Sequence, residues 1–339
     1  MRIIMFGNII THLYLGLNEQ LRASGYPRKA MFIMLLSMAL CLILNPIFIF
    51  GMGMGVEGSA LATVIAQSVS LLVLIKHYTS KSSFIRFKRR SFRFKRSIVY
   101  NIISIGMAPF LLNTCASLVT RFMNTALLKY GGTGAYDVIS AATFDGSVGD
   151  VYVGAYGIMN RVLLLFIMVA NGFNQGMQPI VGYNYGARKY DRVTRTFWMT
   201  VGWATGITTL GFMVCEIFPY QVVRMFVSED GTGDATTLIE ASARGLRLLV
   251  MMLPIVGFNI VSGNFFQHIG KPKRAIILSV SRQLLFIVPL LFVLPPRVGV
   301  DGVWYSIPIA DIASTLLAAV LLFLQLRKFK QNPSSERSI

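Results

Sequence analysis

Residues 25–30 read GYPRKA and residues 270–275 read GKPKRA. The same short basic turn, a glycine, then a proline, then basic residues, stands 245 positions apart (270 − 25 = 245). The residues beyond each turn also agree. After Gly25 comes an apolar run containing Pro46 and then GVEGSALATVIAQ from Gly55; after Gly270 comes an apolar run containing Pro289 and then GVDGVWYSIPIAD from Gly299. The second offset is 244 (299 − 55 = 244), so the match persists through two runs and their turns and reads as an internal repeat.

What such a repeat builds depends on the medium. Hydrophobic residues make up 54% of the 339 and charged residues 14%, and the mean hydropathy is +0.62, which places the chain in a bilayer. Apolar segments near the roughly 20 residues needed to span the hydrocarbon recur along the whole length. They fall near 3–20, 30–50, 56–75, 98–128, 152–182, 196–218, 241–267, 274–294 and 302–325, with the two longest expected to include turns outside the membrane. The expected fold is therefore an all-α integral membrane protein of about nine transmembrane helices. The opening MRIIMFGNIITHLYLG lacks the short apolar core and small-residue cleavage site of a secretory signal. Cys41, Cys115 and Cys215 show no paired spacing, and His12, His77 and His268 are scattered, so no metal site or cofactor is expected. An embedded enzyme would need a nucleophile with a base or a cluster of acids near one face; none is legible.

The formal charge of +18 is not that of a nucleic-acid binder, because no binding module accompanies it and its distribution follows the spans. Basic residues gather in alternate connections: Arg22, Arg28 and Lys29; the run RFKRRSFRFKR at 86–96; Arg188, Lys189, Arg192 and Arg195; Lys271, Lys273 and Arg274; Arg327, Lys328 and Lys330. The intervening connections carry Asp137, Asp145 and Asp150, then Glu229, Asp230 and Asp234, then Asp301. This alternation predicts a multi-pass protein of the plasma (inner) membrane with its basic loops and C-terminus cytoplasmic. Both basic turns of the repeat then face inward and both GV[ED]G turns outward, so equivalent helices run the same way, a parallel repeat of the kind found in secondary transporters.

The repeat also has an arithmetic. The second basic turn is preceded, after the loop at 77–97, by four apolar segments, but the first by only one. The expectation is a six-plus-six architecture with three helices missing at the front. On that basis 1–76 forms the last three helices of a first lobe, 77–97 a cytoplasmic inter-lobe loop, 98–326 a six-helix second lobe, and 327–339 a cytoplasmic tail.

The stretch AYGIMNRVLLLFIMVANGFNQGMQPIVGYNYGARKYDRV at 155–193, with NFFQHIGKPKRA and GVDGVWYSIPIADIAS, resembles the multidrug and toxic compound extrusion (MATE) transporters, nearest to the bacterial DNA-damage-inducible and staphylococcal-type exporters. The resemblance spans about residues 5–325. It implies a two-lobe bundle of twelve helices, a monomer in the lipid bilayer, that exports organic cations and amphipathic toxins in exchange for protons or sodium.

Several residues suit that role. Asn174, Gln175 and Gln178 lie in one apolar helix, where amides require partners or water, and Asn174 and Gln178 share a face. Met177 beside them offers a polarisable contact to hydrophobic cations. Each has a plainer reading as helix-to-helix glue or core. The carboxylates that sodium-type members carry in the seventh and tenth helices are not recognisable; Asn113 in FLLNTC stands in the seventh. At the fifth-helix positions of proton-type members stand Cys41 and Asn45, with Thr63 in the next helix, and no carboxylate. The remaining ion-coupling candidate is Asp311, roughly 13 Å inside its helix at about 1.5 Å per residue. An acid at that depth should pair with Arg161, Arg247 or Arg282, and Arg247 is the expected partner by depth. The same three arginines keep an alternative open, a flippase of lipid-linked diphosphates with this architecture; a non-functional gene fragment is a further alternative.

Overall fold

In a computed structural model, residues 2–80, 95–133, 148–227 and 234–331 are described, and all of their regular structure is helical. The loop residues 81–94, the acidic connections at 134–147 and 228–233, and the tail from 332 lie outside the described residues, and with them Asp137, Asp145, Glu229, Asp230 and most of the run at 86–96. The helices are α1 (Arg2–Ala23), α2 (Pro27–Pro46) with a π turn at Ile47–Gly51, α3 (Gly55–Thr79), α4 (Arg96–Tyr130), α5 (Val148–Gly186) and α6 (Tyr190–Ile217). Then come α7 (Pro219–Arg224), α8 (Asp234–Val250), α9 (Leu253–His268) and α10 (Pro272–Val280), the π segment Ser281–Ile287, α11 (Val288–Val293), α12 (Pro295–Val298) and α13 (Val300–Gln331).

All nine apolar segments are helical, yet they do not qualify equally as spans. Seven described helices are long and apolar enough to cross a bilayer, and α8 with α9 makes an eighth if that pair, bent by 56°, is one span. The ninth, α1, carries Asn8, His12, Asn18, Glu19 and Gln20, and this polarity keeps it below the others. Two expectations are corrected. The longest segments contain no turn: α4 and α5 run unbroken for 35 and 39 residues, about 52 and 58 Å, and so extend past the hydrocarbon. Conversely 241–267 is not one straight helix, because the chain breaks at Met251–Met252 before Pro254.

The chain divides into two compact units, Met1–Arg96 and Ser97–Ile339. In the first, α1, α2 and α3 bury Tyr14, Leu21, Ala30, Ile33, Leu74 and Tyr78 together. The Tyr78 hydroxyl donates to the Leu17 carbonyl at 3.0 Å and ties α3 to α1. In the second, α5 packs against α6, α8 and α9, which its length permits. One core centres on Met159, Leu246 and Trp304, and another on Met177, Phe197, Phe265 and Phe266, with the Phe197 and Phe265 rings 4.8 Å apart.

The repeated turns have the same backbone. Gly25 and Gly270 both adopt positive φ, 91° and 69°. The Tyr26 N–H reaches the Leu21 carbonyl and the Lys271 N–H the Phe266 carbonyl, while Gly25 and Gly270 donate to Arg22 and Gln267. These are paired Schellman stops, each followed by a proline at the start of the next helix, where its missing N–H costs nothing. A third turn, before α6, has the same bonds with Arg188 rather than glycine at φ 58°. At the other turn, a Cβ on Gly58 would lie 2.9 Å from the Phe48 carbonyl oxygen, and one on Gly302 2.6 Å from the Leu294 carbonyl carbon. The second glycine of GV[ED]G is thus required in both copies for the close approach of one helix to the end of the preceding one.

Candidate functional site

Asp311 stands eleven residues into α13, about 16 Å from its start, and Arg282 ten residues beyond Pro272, about 15 Å from that end of its span. Both are therefore deep in apolar helices. Arg282 Nε donates to Asp311 Oδ1 at 2.7 Å, with the arginine side chain 27% and the carboxylate 3% exposed. Pairing is what makes two charges tolerable at that depth. One turn on, Ser314 donates to the Asp311 carbonyl at 3.2 Å, and Asn259 of α9 donates to Ser314 Oγ. Arg282 sits in the π segment, whose extra residue per turn re-aims the side chain toward α13.

The pair borders further polar groups. The Tyr156 phenol of α5 lies near Thr120 of α4 and within the electrostatic reach of Arg282. Thr120 belongs to a stripe on α4 made by Asn113, Ser117, Thr120, Arg121 and Asn124, which fall within about a 100° arc of the helix. The stripe is exposed or half-exposed over that length. A polar stripe along an apolar helix belongs against water or protein, not acyl chains.

The first unit holds a counterpart. Subtracting the repeat offsets takes Arg282 to Ser37 (282 − 245), Asp311 to Gln67 (311 − 244) and Asn259 to Tyr14 (259 − 245). All three residues line one groove of about 460 Å³. Gln67 also bonds Thr11 across α3 and α1. Met31, Met34 and Met38 of α2 supply the groove's apolar wall. Its polar groups are neutral where the second copy carries an ion pair.

The residues singled out from sequence do not form one site. Asn45, Cys41 and Thr63 do come together, with Asn45 Nδ2 3.5 Å from Cys41 Sγ and Cys41 Sγ 3.7 Å from Thr63 Oγ1. Asp311 finds Arg282, not Arg247, whose Nε lies 3.9 Å from Glu216 Oε1 instead. Arg161 is exposed on α5. With Arg282 and Arg247 each facing a carboxylate, the three arginines do not make a cationic cradle. Asn174 is buried and donates to Ala170 of its own helix at 3.3 Å, and Met177 is 1% exposed in the core. Gln175 is exposed, Gln178 half-buried and Asn113 exposed with its amide on the Pro109 carbonyl at 2.9 Å. Sequence reading misses Tyr156, Thr120, Asn259, Ser314, Tyr14, Ser37 and Gln67. Carrying the repeat offset down from Asp311 is the signal that finds Gln67.

A helical membrane protein with a parallel repeat, broken helices and polar seams at mid-depth has the build of a secondary transporter. The sequence model of the MatE family matches residues 135–293. Multidrug export protein MepA of Staphylococcus haemolyticus (strain JCSC1435) is 25% identical over 311 residues, 92% of this chain and 63% of the relative. MepA of Staphylococcus aureus (strain N315) is 25% identical over 314 residues with the same coverage. The chain thus spans 63% of the length of these curated relatives. Among solved structures, a MOP superfamily transporter from Pyrococcus furiosus superposes with a TM-score of 0.86 at 22% identity, covering 97% of this chain and 69% of that one. A MATE structure in complex with MaL6 superposes at 0.85 and 23%, covering 97% and 70%. The chain has the MATE fold, and its residues 135–293 match the MatE family model.

Proposed function

We propose that this chain works as a secondary antiporter of the plasma membrane, moving organic cations or amphipathic toxins outward in exchange for protons or sodium. The observation that carries the reading is the Arg282–Asp311 pair: an ionisable group at mid-depth, 3% exposed, in a π-distorted helix beside a polar stripe. A buried pair is bistable with respect to a small cation. A proton or sodium ion on the carboxylate competes with the guanidinium, and release of Arg282 alters the charge presented beside Tyr156 and the α4 stripe. The export activity named for the MepA relatives supports this direction of use. The flippase reading is disfavoured by the carboxylates facing Arg282 and Arg247.

The test is dye movement in proteoliposomes holding the purified chain, driven by an imposed pH gradient or an imposed sodium gradient. Ethidium should move against its gradient with one of the two ions. Asp311→Asn should abolish ion-driven movement while ethidium still binds. Failure of both gradients to move any cationic dye, with the protein shown to be folded and inserted, overturns the transport reading for this chain.

A further inference from the structure

The basic end of the second unit contains a groove of about 760 Å³ between the first half of α6 and the last turns of α13. At its closed end Tyr190 stacks on Phe329, rings 4.7 Å apart and 7° from parallel. Arg195 and Arg327 line its middle, one from each wall, both exposed. Further along, Trp198 and Phe323 line it and are 50% and 65% exposed. Trp198 lies about 12 Å along α6 from Tyr190, and Phe323 about 9 Å along α13 from Phe329. The groove therefore runs from a ring-stacked end, past two cations, to an open aromatic slot directed into the apolar part of both helices.

We propose that this groove binds an anionic phospholipid, its phosphate between Arg195 and Arg327 and an acyl chain along Trp198 and Phe323. Charge decides the occupant. Asp191 also lines the groove, but the two arginines outnumber it, and exposed Lys328 adds to the positive field. No ion pair joins Arg195 or Arg327 to a carboxylate among the described residues. An amphipathic cation would suit the aromatic slot but meets repulsion at its head; a headgroup phosphate accepts bidentate bonds from both guanidinia. A membrane supplies such a ligand at that depth, and basic pockets between helices are where headgroups dock. Lipid binding here does not depend on the transport activity.

The test places the full chain in phosphatidylcholine bilayers doped with brominated phosphatidylglycerol or brominated phosphatidylcholine. Quenching of Trp198 is read as the difference between wild type and Trp198→Phe. The anionic lipid should quench at a mole fraction about twenty-fold below the zwitterionic one, and Arg195→Gln or Arg327→Gln should each weaken that preference about fivefold. Molar salt should weaken it in the wild type, which keeps the test decisive should a variant fold poorly. Millimolar glycerol 3-phosphate should leave quenching unchanged. Equal quenching by the two lipids, a preference untouched in the folded double variant, displacement by glycerol 3-phosphate, or a preference for a brominated cationic lipid that Asp191→Asn removes would each overturn the proposal.

Discussion

The two copies of the repeat share a backbone and differ in chemistry. In α1–α3 the mid-depth seam is Tyr14, Ser37 and Gln67, all neutral; at the matching positions of α9–α13 it is Asn259, Arg282 and Asp311, with an ion pair at 2.7 Å. The turns at both ends are the same: left-handed Gly25 and Gly270 closing Schellman stops, and Gly58 and Gly302 pressed against the preceding helix. What the fold demands is therefore duplicated, while among the described residues of these matching seam positions the ion pair stands in the second copy. A neutral seam needs hydrogen bonds only, whereas a charged one is tolerable only while both partners are present.

That asymmetry is broken most directly at Asp311. Asp311→Asn leaves the Arg282 cation without its counter-charge and should cost about 2–4 kcal/mol, reduced from the fully buried case because Arg282 is part-exposed. Gln67→Ala in the first copy loses a neutral hydrogen bond and should cost about 1 kcal/mol. Denaturant unfolding in detergent, followed by far-ultraviolet circular dichroism, measures both. Adding Arg282→Gln to Asp311→Asn should restore most of the loss. Equal costs at Gln67 and Asp311, or no rescue, would mean that the pair is not what distinguishes the copies.

The shared frame is tested next, at the glycines. Gly302→Ala places a methyl 2.6 Å from the Leu294 carbonyl carbon and 2.7 Å from its oxygen, and Gly58→Ala places one 2.9 Å from the Phe48 oxygen. Neither neighbour is a flexible side chain, so both substitutions should destabilise, by about 1–3 kcal/mol, with Gly302 the worse. Thermal melting of the two variants ranks them. If Gly58→Ala were neutral while Gly302→Ala unfolded the protein, the turns would be alike in sequence but not in packing.

Much of this is legible in the sequence, for reasons that differ by element. The repeat, the basic turns and the helical class come from local chemistry: apolar run length, glycine and proline at helix ends, and charge in alternate loops. The pairing of Asp311 with an arginine is legible too, from the cost of a lone charge in hydrocarbon. Which arginine is not, because which side chains face one another across packed helices is a tertiary outcome. The burial of Met177 and Asn174 is not legible either. In a span apolar on every side, periodicity does not distinguish the face toward protein from the face toward lipid, so residue type suggests a cavity where packing gives a core. The α4 stripe from Asn113 to Asn124 is visible as spacing, yet the family resemblance singles out Asn113 alone, because it bears on one position rather than on a face.

The smallest expected effect lies at the basic turns themselves. The first copy has Tyr26 where the second has Lys271 (271 − 245 = 26), so only the second turn carries a crowded ammonium at this place. The Lys271 Nζ donates to Gln325 Oε1 at 2.7 Å, the same oxygen that takes Arg274 Nη1 at 2.7 Å. Burial, then the neighbouring charges of Arg274 and Lys328, hold the Lys271 pKa below its ordinary 10.5. Between the lowered folded value and 10.5 the unfolded chain binds more protons than the folded one, so stability rises with pH through that window and is flat below it. The rise should be slight, on the order of 1 °C in melting temperature, since the ammonium is only half-buried. Melting in detergent from pH 8 to about 10.5 should show Lys271→Met lacking that component and Lys273→Met, an exposed neighbour, retaining it. Parallel curves for wild type and Lys271→Met would mean that the two basic turns, though different at this residue, respond alike to pH.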